Sequence, residues 1–400
     1  MIRVMKIITD EKKIDEILTR GVHEVFTTEE LKKRLLSGKQ LHLKLGTDVT
    51  GKELHLGHAV VHRKIRDFQE LGHRVTLIIG DFTTLVGDHS DKVDMREEAN
   101  EKNIKEFQKT YASQFFRTVI KRGTKIRHNS EWLKKLNLKD VINLTRLFTF
   151  AQMLDRETFK LRYNTGKTIE LDEFLYPLMQ GYDSVAIKAD LEFGGTDQTF
   201  NLLAGRKVMS HFGLSPQCAL VTKLLVGSDG KPMGKSLKNF IPITDPANEM
   251  YGKIMTIVDE VIFDYFELVT RVPLSKIEEM KKRVREGANP MEFKKRLARE
   301  IVSFYHGEGK AKSAEENFEE TFQKGEIPGE MAEVEMKGGE RLMDVLVRAK
   351  VVSSKSDFRR LVREKAVINL ETSEKITDPN FIPGRGMKFR IGKRRFVKIF

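Results

Sequence analysis

A single cysteine, Cys218, is all the sequence offers, which excludes an intramolecular disulfide framework and any cysteine-based zinc site and fits a reducing cytosol. Long apolar runs are missing too: nothing approaches the roughly 18 consecutive residues of a membrane span. The first residues are broken up by Lys6, Asp10, Glu11, Lys12 and Lys13, so no secretory segment is expected. There is no internal repeat and no low-complexity tract. Apolar residues at 40% and charged residues at 32% leave no case for global disorder, collagen or a coiled-coil rod. What is present exceeds one core: 400 residues pass the roughly 250–300 at which a single hydrophobic core stops growing, so two or three domains are expected. Lysine and arginine number 71 against 58 acids, a net +13 that points to a polyanionic partner.

The positive charge is concentrated at one end. Residues 341–400 hold sixteen Lys or Arg against six acids, so +10 of the surplus lies there. Upstream, residues 315–339 are rich in Glu and Gly and read as a linker before a basic tail domain. The first half alternates strand and helix patterns, the mark of a parallel sheet wrapped by helices. Residues 41–46 read as a strand, followed by a helix with Leu56, Val60, Val61, Ile65 and Phe68 at helical spacing. Further strands are expected at 75–79, 189–193 and 219–226, and a helix after Gly195 carrying Phe200, Leu203, Val208 and Phe212. From residue 240 to 325 the pattern is helical, with Pro246 and Pro290 near helix starts and Ser275 with Glu278 as a capping box.

Three stretches carry chemistry. In residues 45–58 a strand feeds a Gly-containing turn, and His55 and His58 open a helix on one face beside unpaired backbone N–H groups. That arrangement suits nucleotide phosphates, with Gly57 allowing a base or ribose to approach. Residues 226–237 form a Gly-rich loop ending in Lys235-Ser236, able to bring an ammonium and a hydroxyl to triphosphate oxygens, although the pattern is not that of a P-loop. In residues 172–184, Tyr176, Gln180 and Asp183 share one helix face flanked by Phe174, Leu175, Leu178 and Met179. Polar groups on a helix with such apolar neighbours need partners.

Taken in order, the first two stretches resemble the signatures of class I aminoacyl-tRNA synthetases. His55-Leu56-Gly57-His58 matches the histidine signature without departure. Pro232-Met233-Gly234-Lys235-Ser236 matches the lysine signature except that its usual first lysine is missing, with Lys231 one place earlier. The third stretch, with residues 194–198, resembles the tyrosine pocket of the bacterial tyrosyl-tRNA synthetases. The resemblance implies that Asp183 accepts the phenolic hydroxyl and that Asp88, Tyr176 and Gln180 bind the ammonium group. It places Gln198 near the carboxylate, and Asp48, Gly57, Gly195, Asp197 and Met233 with Thr50 on the ATP side. His55, His58, Lys235 and Ser236 would stabilise the reacting phosphates. Where many relatives have a tyrosine two residues before the glycine of the first turn, this chain has Lys44. Lys92 and Arg96 are further phosphate-side candidates.

The tail, with an amphipathic helix at 341–347, a second at 354–363 and a strand pattern from Val367 through 389–397, resembles the small RNA-binding domain of a ribosomal small-subunit protein. Its tRNA-binding candidates are Arg359, Arg360, Arg363, Lys393, Arg394 and Arg395. The expected architecture is α/β, a doubly wound parallel (Rossmann-like) sheet over residues 1–239 that binds nucleotide and tyrosine. An all-helical tRNA-binding domain over 240–325, a linker over 326–339 and a basic α+β RNA-binding domain over 340–400 follow. The resemblance further implies magnesium with ATP as substrate, tRNA for tyrosine as partner, no bound organic cofactor, a homodimer and a cytoplasmic location. Two other readings compete: a tryptophanyl-tRNA synthetase, against which Asp183 and the basic tail count, and an RNA-binding protein of the same fold with impaired catalysis, which only the altered lysine signature supports.

Overall fold

The protein is described as a computed structural model covering residues 6–48, 53–87, 110–233, 239–320, 331–336, 338–372, 374–392 and 395–400. The chain divides into two compact units, Met1–Pro246 with Lys253–Tyr305, and Ala247–Gly252 with His306–Phe400.

The first unit is built on six strands: β1 (Val22–Phe26), β2 (His42–Thr47), β3 (Arg74–Ile79), β4 (Thr124–His128), β5 (Leu191–Gly195) and β6 (Cys218–Thr222). Their order is β1-β6-β5-β2-β3-β4, with every pair from β6 to β4 parallel. β3, β5 and β6 are buried almost throughout, as strands covered on both faces must be. From β2 the chain winds one way through β3 and β4, then returns to β5 and winds the other way to β6. The carboxyl ends of β2 and β5 therefore flank a crevice where the winding reverses, the usual ligand position of a doubly wound sheet.

Two features of this sheet differ from expectation. β1 adds an antiparallel edge against β6, making the sheet mixed. The strand expected over 219–226 stops at Thr222, where the Lys223 N–H bonds the Gly21 carbonyl at 3.0 Å and Leu224 is exposed. The helix after the first turn, Leu56–Glu70, buries Leu56, Val60, Ile65 and Phe68 as its spacing required. Further along, the helices Ile262–Val269 and Leu274–Arg285, and Pro290–His306 as far as Tyr305, belong to the same unit, and the boundary expected at 239 falls inside it. Ser275 is no cap: the helix begins at Leu274 behind Pro273, with no side-chain cap bond, so the serine lies in the first turn. Arg20 instead closes the end of the Ile262–Val269 helix. It donates to the carbonyls of Phe266 (3.0 Å), Glu267 (2.9 Å), Thr270 (2.8 Å) and Val272 (2.8 Å), placing a cation where the helix dipole is negative.

The second unit holds the helices Glu308–Phe318, Leu342–Arg348 and Lys355–Arg363 and the strands β7 (Ala332–Val334), β8 (Val367–Asn369), β9 (Lys388–Ile391) and β10 (Arg395–Ile399), in the order β7-β10-β9-β8. Phe358, Leu361 and Val362 pack with Leu342, Leu346, Phe389, Ile391, Val397 and Ile399 in a separate core. Part of the stretch read as a linker is structured: β7 pairs with β10 and buries Val334, and Met336 joins the core. The strand pattern over 389–397 is two antiparallel strands separated at Gly392, whose φ of 70° suits glycine. Among the described residues no helix is long and apolar enough to cross a membrane.

Candidate active site

At the switch point lies a cleft of about 300 Å³. The end of β2 supplies Leu45, Gly46, Thr47 and Asp48, and the end of β5 supplies Phe193, Gly194 and Gly195. The two helices expected to carry chemistry add His58, and Tyr176, Gln180 and Asp183. Asp197 and Gln198 complete the rim. Segments far apart in sequence thus meet, and all eight of Asp48, His58, Tyr176, Gln180, Asp183, Gly195, Asp197 and Gln198 face one cavity.

Its floor is a chain of polar side chains. Asp183 is 3% exposed. It accepts from Trp132 Nε1 at 2.7 Å, and Asn129 Nδ2 stands 3.5 Å from its other oxygen. Asn129 also donates to Thr83 Oγ1 at 3.0 Å, Thr83 donates to Asp48 Oδ1 at 2.8 Å, and Tyr176 OH donates to Asp48 Oδ2 at 3.0 Å. Asp48, expected on the ATP side, therefore also orients Tyr176. Burial pushes the Asp183 carboxyl up to about 7, against the Lys44 ammonium and the Trp132 and Asn129 donors, which favour the ionised form. Below that value the carboxyl binds a proton and no longer serves as a carboxylate acceptor, which matters if it is to receive a hydroxyl of a bound substrate. The kcat/KM of the free enzyme for a hydroxyl-bearing substrate should thus fall about tenfold per unit as pH drops below about 7 and level off above it. An Asp183→Asn variant should lack this limb, and a profile flat from pH 5.5 to 8.5 in the parent would contradict the assignment.

Lys44 does not line the cleft; its Nζ lies 2.8 Å from Glu192 Oε1 in a fully buried pair. Gln198 Nε2 donates to Asp197 Oδ2 at 3.2 Å, and a Cβ on Gly195 would come within 2.5 Å of Asp197 Oδ1. The bare backbone at 195 is what lets that carboxylate fold back over the turn.

The two histidines cap their own helix. His55 Nδ1 accepts from the Gly57 N–H at 3.2 Å, and His58 Nδ1 accepts from the His55 N–H, also at 3.2 Å, with ring centroids 3.9 Å apart. An Nδ1 that accepts cannot carry the proton of a neutral imidazole, so Nε2–H is the donor on both rings. Met233 of the second stretch reaches this helix start: a Cβ on Gly57 would meet its sulfur at 2.9 Å and the His55 ring at 3.0 Å. Gly57 makes room for these side chains. The chain after the loop is pinned there too, by an antiparallel bridge between His55 and Pro242 and a bond from Leu56 N to the Ile241 carbonyl at 3.0 Å.

Sequence reasoning missed Thr47, Thr83, Tyr111 and Asn129 on the cleft wall, and Trp132 behind it. It also missed His62, whose Nδ1 is unpartnered and which burial pushes down to about 3, so it is neutral. His62 lies four residues after His58, and that spacing was its signal. Thr50, Asp88, Lys92, Arg96, Lys235, Ser236, Lys393 and Arg394 lie outside the described residues. In the second unit Arg359, Arg360 and Arg363 are exposed along one helix, with Arg360 paired to Asp357 at 2.7 Å and to Glu364 at 3.1 Å. Arg395 is tied to the Val351 carbonyl.

Comparison with known proteins fits this geometry. The family model described as tRNA synthetases class I (W and Y) matches residues 36–323. The tyrosine–tRNA ligase of Dehalococcoides mccartyi is 45% identical over 97% of this chain and 98% of its own. That of Thermotoga maritima is 44% identical over 98% of both chains. Among solved structures, the tyrosyl-tRNA synthetase of Archaeoglobus fulgidus complexed with L-tyrosine aligns with a TM-score of 0.62 at 22% identity, covering 76% of this chain and all of that one. A C-terminally truncated mitochondrial tyrosyl-tRNA synthetase from Aspergillus nidulans gives the same score at 21% identity, over 78% and 94%. Both share the fold.

Proposed function

The chain belongs to the class I tRNA synthetases for tryptophan and tyrosine and acts as a tyrosine–tRNA ligase, and from that premise we propose how its residues divide the work. Asp183 accepts the phenolic hydroxyl of tyrosine, and its burial at the floor of the cleft is the observation that carries this reading. Tyr176 and Gln180, on the same helix face, receive the ammonium group together with Asp88, and Gln198 lies toward the carboxylate. The tyrosine carboxylate, already ionised, attacks the α-phosphorus of ATP and pyrophosphate leaves, so no protein nucleophile is needed and positioning with charge stabilisation dominates. Nε2–H donors on His55 and His58 stabilise charge on the phosphates, Gly195 and Asp197 approach the ribose, and Asp48, Thr50, Gly57 and Met233 border the nucleotide. Lys235 and Ser236 act on the leaving pyrophosphate, a role that rests on sequence resemblance. Magnesium arrives with ATP. The terminal ribose hydroxyl of the tRNA then attacks the tyrosyl carbonyl of the adenylate, losing its proton as the acyl–phosphate bond breaks and AMP leaves.

Residues 1–239 carry this chemistry, and residues 240–325 and 340–400 hold the tRNA in a cytoplasmic homodimer. Leu138, Phe150, Tyr163 and Leu171, each more than 60% exposed within 34 consecutive residues, are candidates for surface that a homodimer would cover. Tyrosine-dependent exchange of pyrophosphate into ATP tests the first half-reaction, and no exchange with tyrosine alone among the amino acids would refute it. Replacing Arg359, Arg360 and Arg363 together by alanine should spare that exchange, weaken tRNA binding and reduce its salt slope by about 0.7–0.9 for each phosphate no longer neutralised. Unchanged tRNA affinity in this variant would remove the helix from the interface.

A further inference from the structure

We propose that the buried Lys44–Glu192 pair is a positioning device for tyrosine recognition, acting through Gln180 and Asp183 on the Tyr176–Ile187 helix. The inference rests on the reading of that helix face as the tyrosine site.

Both side chains are fully buried. A charge inside a protein persists only when paired and hydrogen-bonded, and here the bonds lead to one helix. Lys44 Nζ donates to the Gln180 carbonyl and to Ser184 Oγ, each at 2.7 Å. Glu192 accepts from Gln180 Nε2 at 3.1 Å and from Ser184 Oγ at 3.3 Å, and Gln217 Nε2 also donates to it. The pair thus grips Gln180 twice, at its backbone by the lysine and at its side chain by the glutamate. Gly205 allows this approach, since a Cβ there would meet Gln217 Nε2 at 2.8 Å.

The Gln180 carbonyl belongs to the second turn of the helix, and the Lys44 ammonium fixes the rotation of the helix about its axis relative to β2. That rotation decides how Gln180 and Asp183, three residues apart, present to the cleft. Lys44 also faces Asp183 as a cation, with Glu192 as the opposing anion and Trp132 and Asn129 as donors.

Lys44→Met keeps the length and removes the charge. Its tyrosine KM in pyrophosphate exchange should rise by about tenfold, up to the order of 10², while kcat and the ATP KM change little. The acid limb of tyrosine kcat/KM should also move to higher pH, because Asp183 loses its cation. Lys44→Met with Glu192→Gln removes the uncompensated carboxylate; it should move the limb part of the way back and leave the tyrosine KM raised. Gln180→Ala and Asp183→Ala are measured beside them. If these two raise the tyrosine KM and Lys44→Met does not, the positioning role is wrong and the site reading stands. If neither of the two moves it, the site reading itself fails. A parallel loss of kcat, ATP affinity and tyrosine affinity in Lys44→Met would mark the pair as merely structural and overturn the inference. Should Lys44→Met not fold, Ser184→Ala deletes one lysine acceptor and keeps the charge. A raised tyrosine KM there supports the inference, and an unchanged one overturns it.

Discussion

Asp183→Ala should lower kcat/KM for tyrosine by about 10²–10⁴, the range for truncating one partner of a buried, hydrogen-bonded charged contact. The selectivity for tyrosine over phenylalanine should collapse with it. A site built to bond a substrate hydroxyl rejects the analogue lacking it by about 10⁴–10⁵, a figure for which tyrosyl-tRNA synthetases are themselves the standard instance and which does not come from this geometry. With the carboxylate gone, the Trp132 N–H loses its acceptor, a cost of about 1–3 kcal/mol that is opposed by relief of the burial penalty on the ionised carboxyl. Thermal unfolding must therefore accompany the kinetics. Selectivity against phenylalanine that survives in a folded Asp183→Ala protein would mean that the phenol is held elsewhere.

The site was readable in the sequence wherever its geometry is local. The helix start at Leu56 fixes the histidines by chain connectivity alone, and Tyr176, Gln180 and Asp183 share a face because a helix repeats every 3.6 residues. The partners that give Asp183 its properties were not readable. Trp132 and Asn129 stand 51 and 54 residues away in the chain, on a stretch with no periodic signal, and only the winding of β4 beside β3 brings them there. Lys44 shows the same limit. Its position in the strand was evident, but alternation along a strand does not reveal that Glu192 of the neighbouring β5 is its partner. The edge strand β1 escaped notice because three half-buried and two exposed residues do not alternate between faces. The two C-terminal strands read as one because Gly392 is the only glycine or proline between Ile391 and Phe396.

His58→Ala should reduce kcat and kcat/KM together by about 10²–10³, the usual cost of one donor aimed at developing charge, with the tyrosine KM unchanged. Because His58 Nδ1 is committed to the His55 backbone N–H, the proposed role falls to the Nε2 proton. His58→Asn restores a short side-chain donor at the wrong reach and should recover little of the loss. A His58→Ala protein that differs only in its KM for ATP would assign the histidine to ground-state nucleotide binding.

The four carbonyls that Arg20 gathers lie 246–252 residues further along the chain, and β1 waits for β6 in the same way. On the ribosome, at roughly 5–20 residues per second, the amino-terminal segment emerges on the order of 10–50 s before its partners exist. During that interval β2 to β4 can assemble, whereas β1 has no strand to pair with and Arg20 no helix end to close. Closing so long a loop gives the unit a high contact order and a slow final step. β1 precedes β6 in the chain, so the β6 edge has its cover waiting and is sealed once that long loop closes. Until then the nascent chain carries an open sheet edge, the surface on which strands of different molecules join. β1, made before the strand it covers, thus acts as the cover that closes this edge of the sheet.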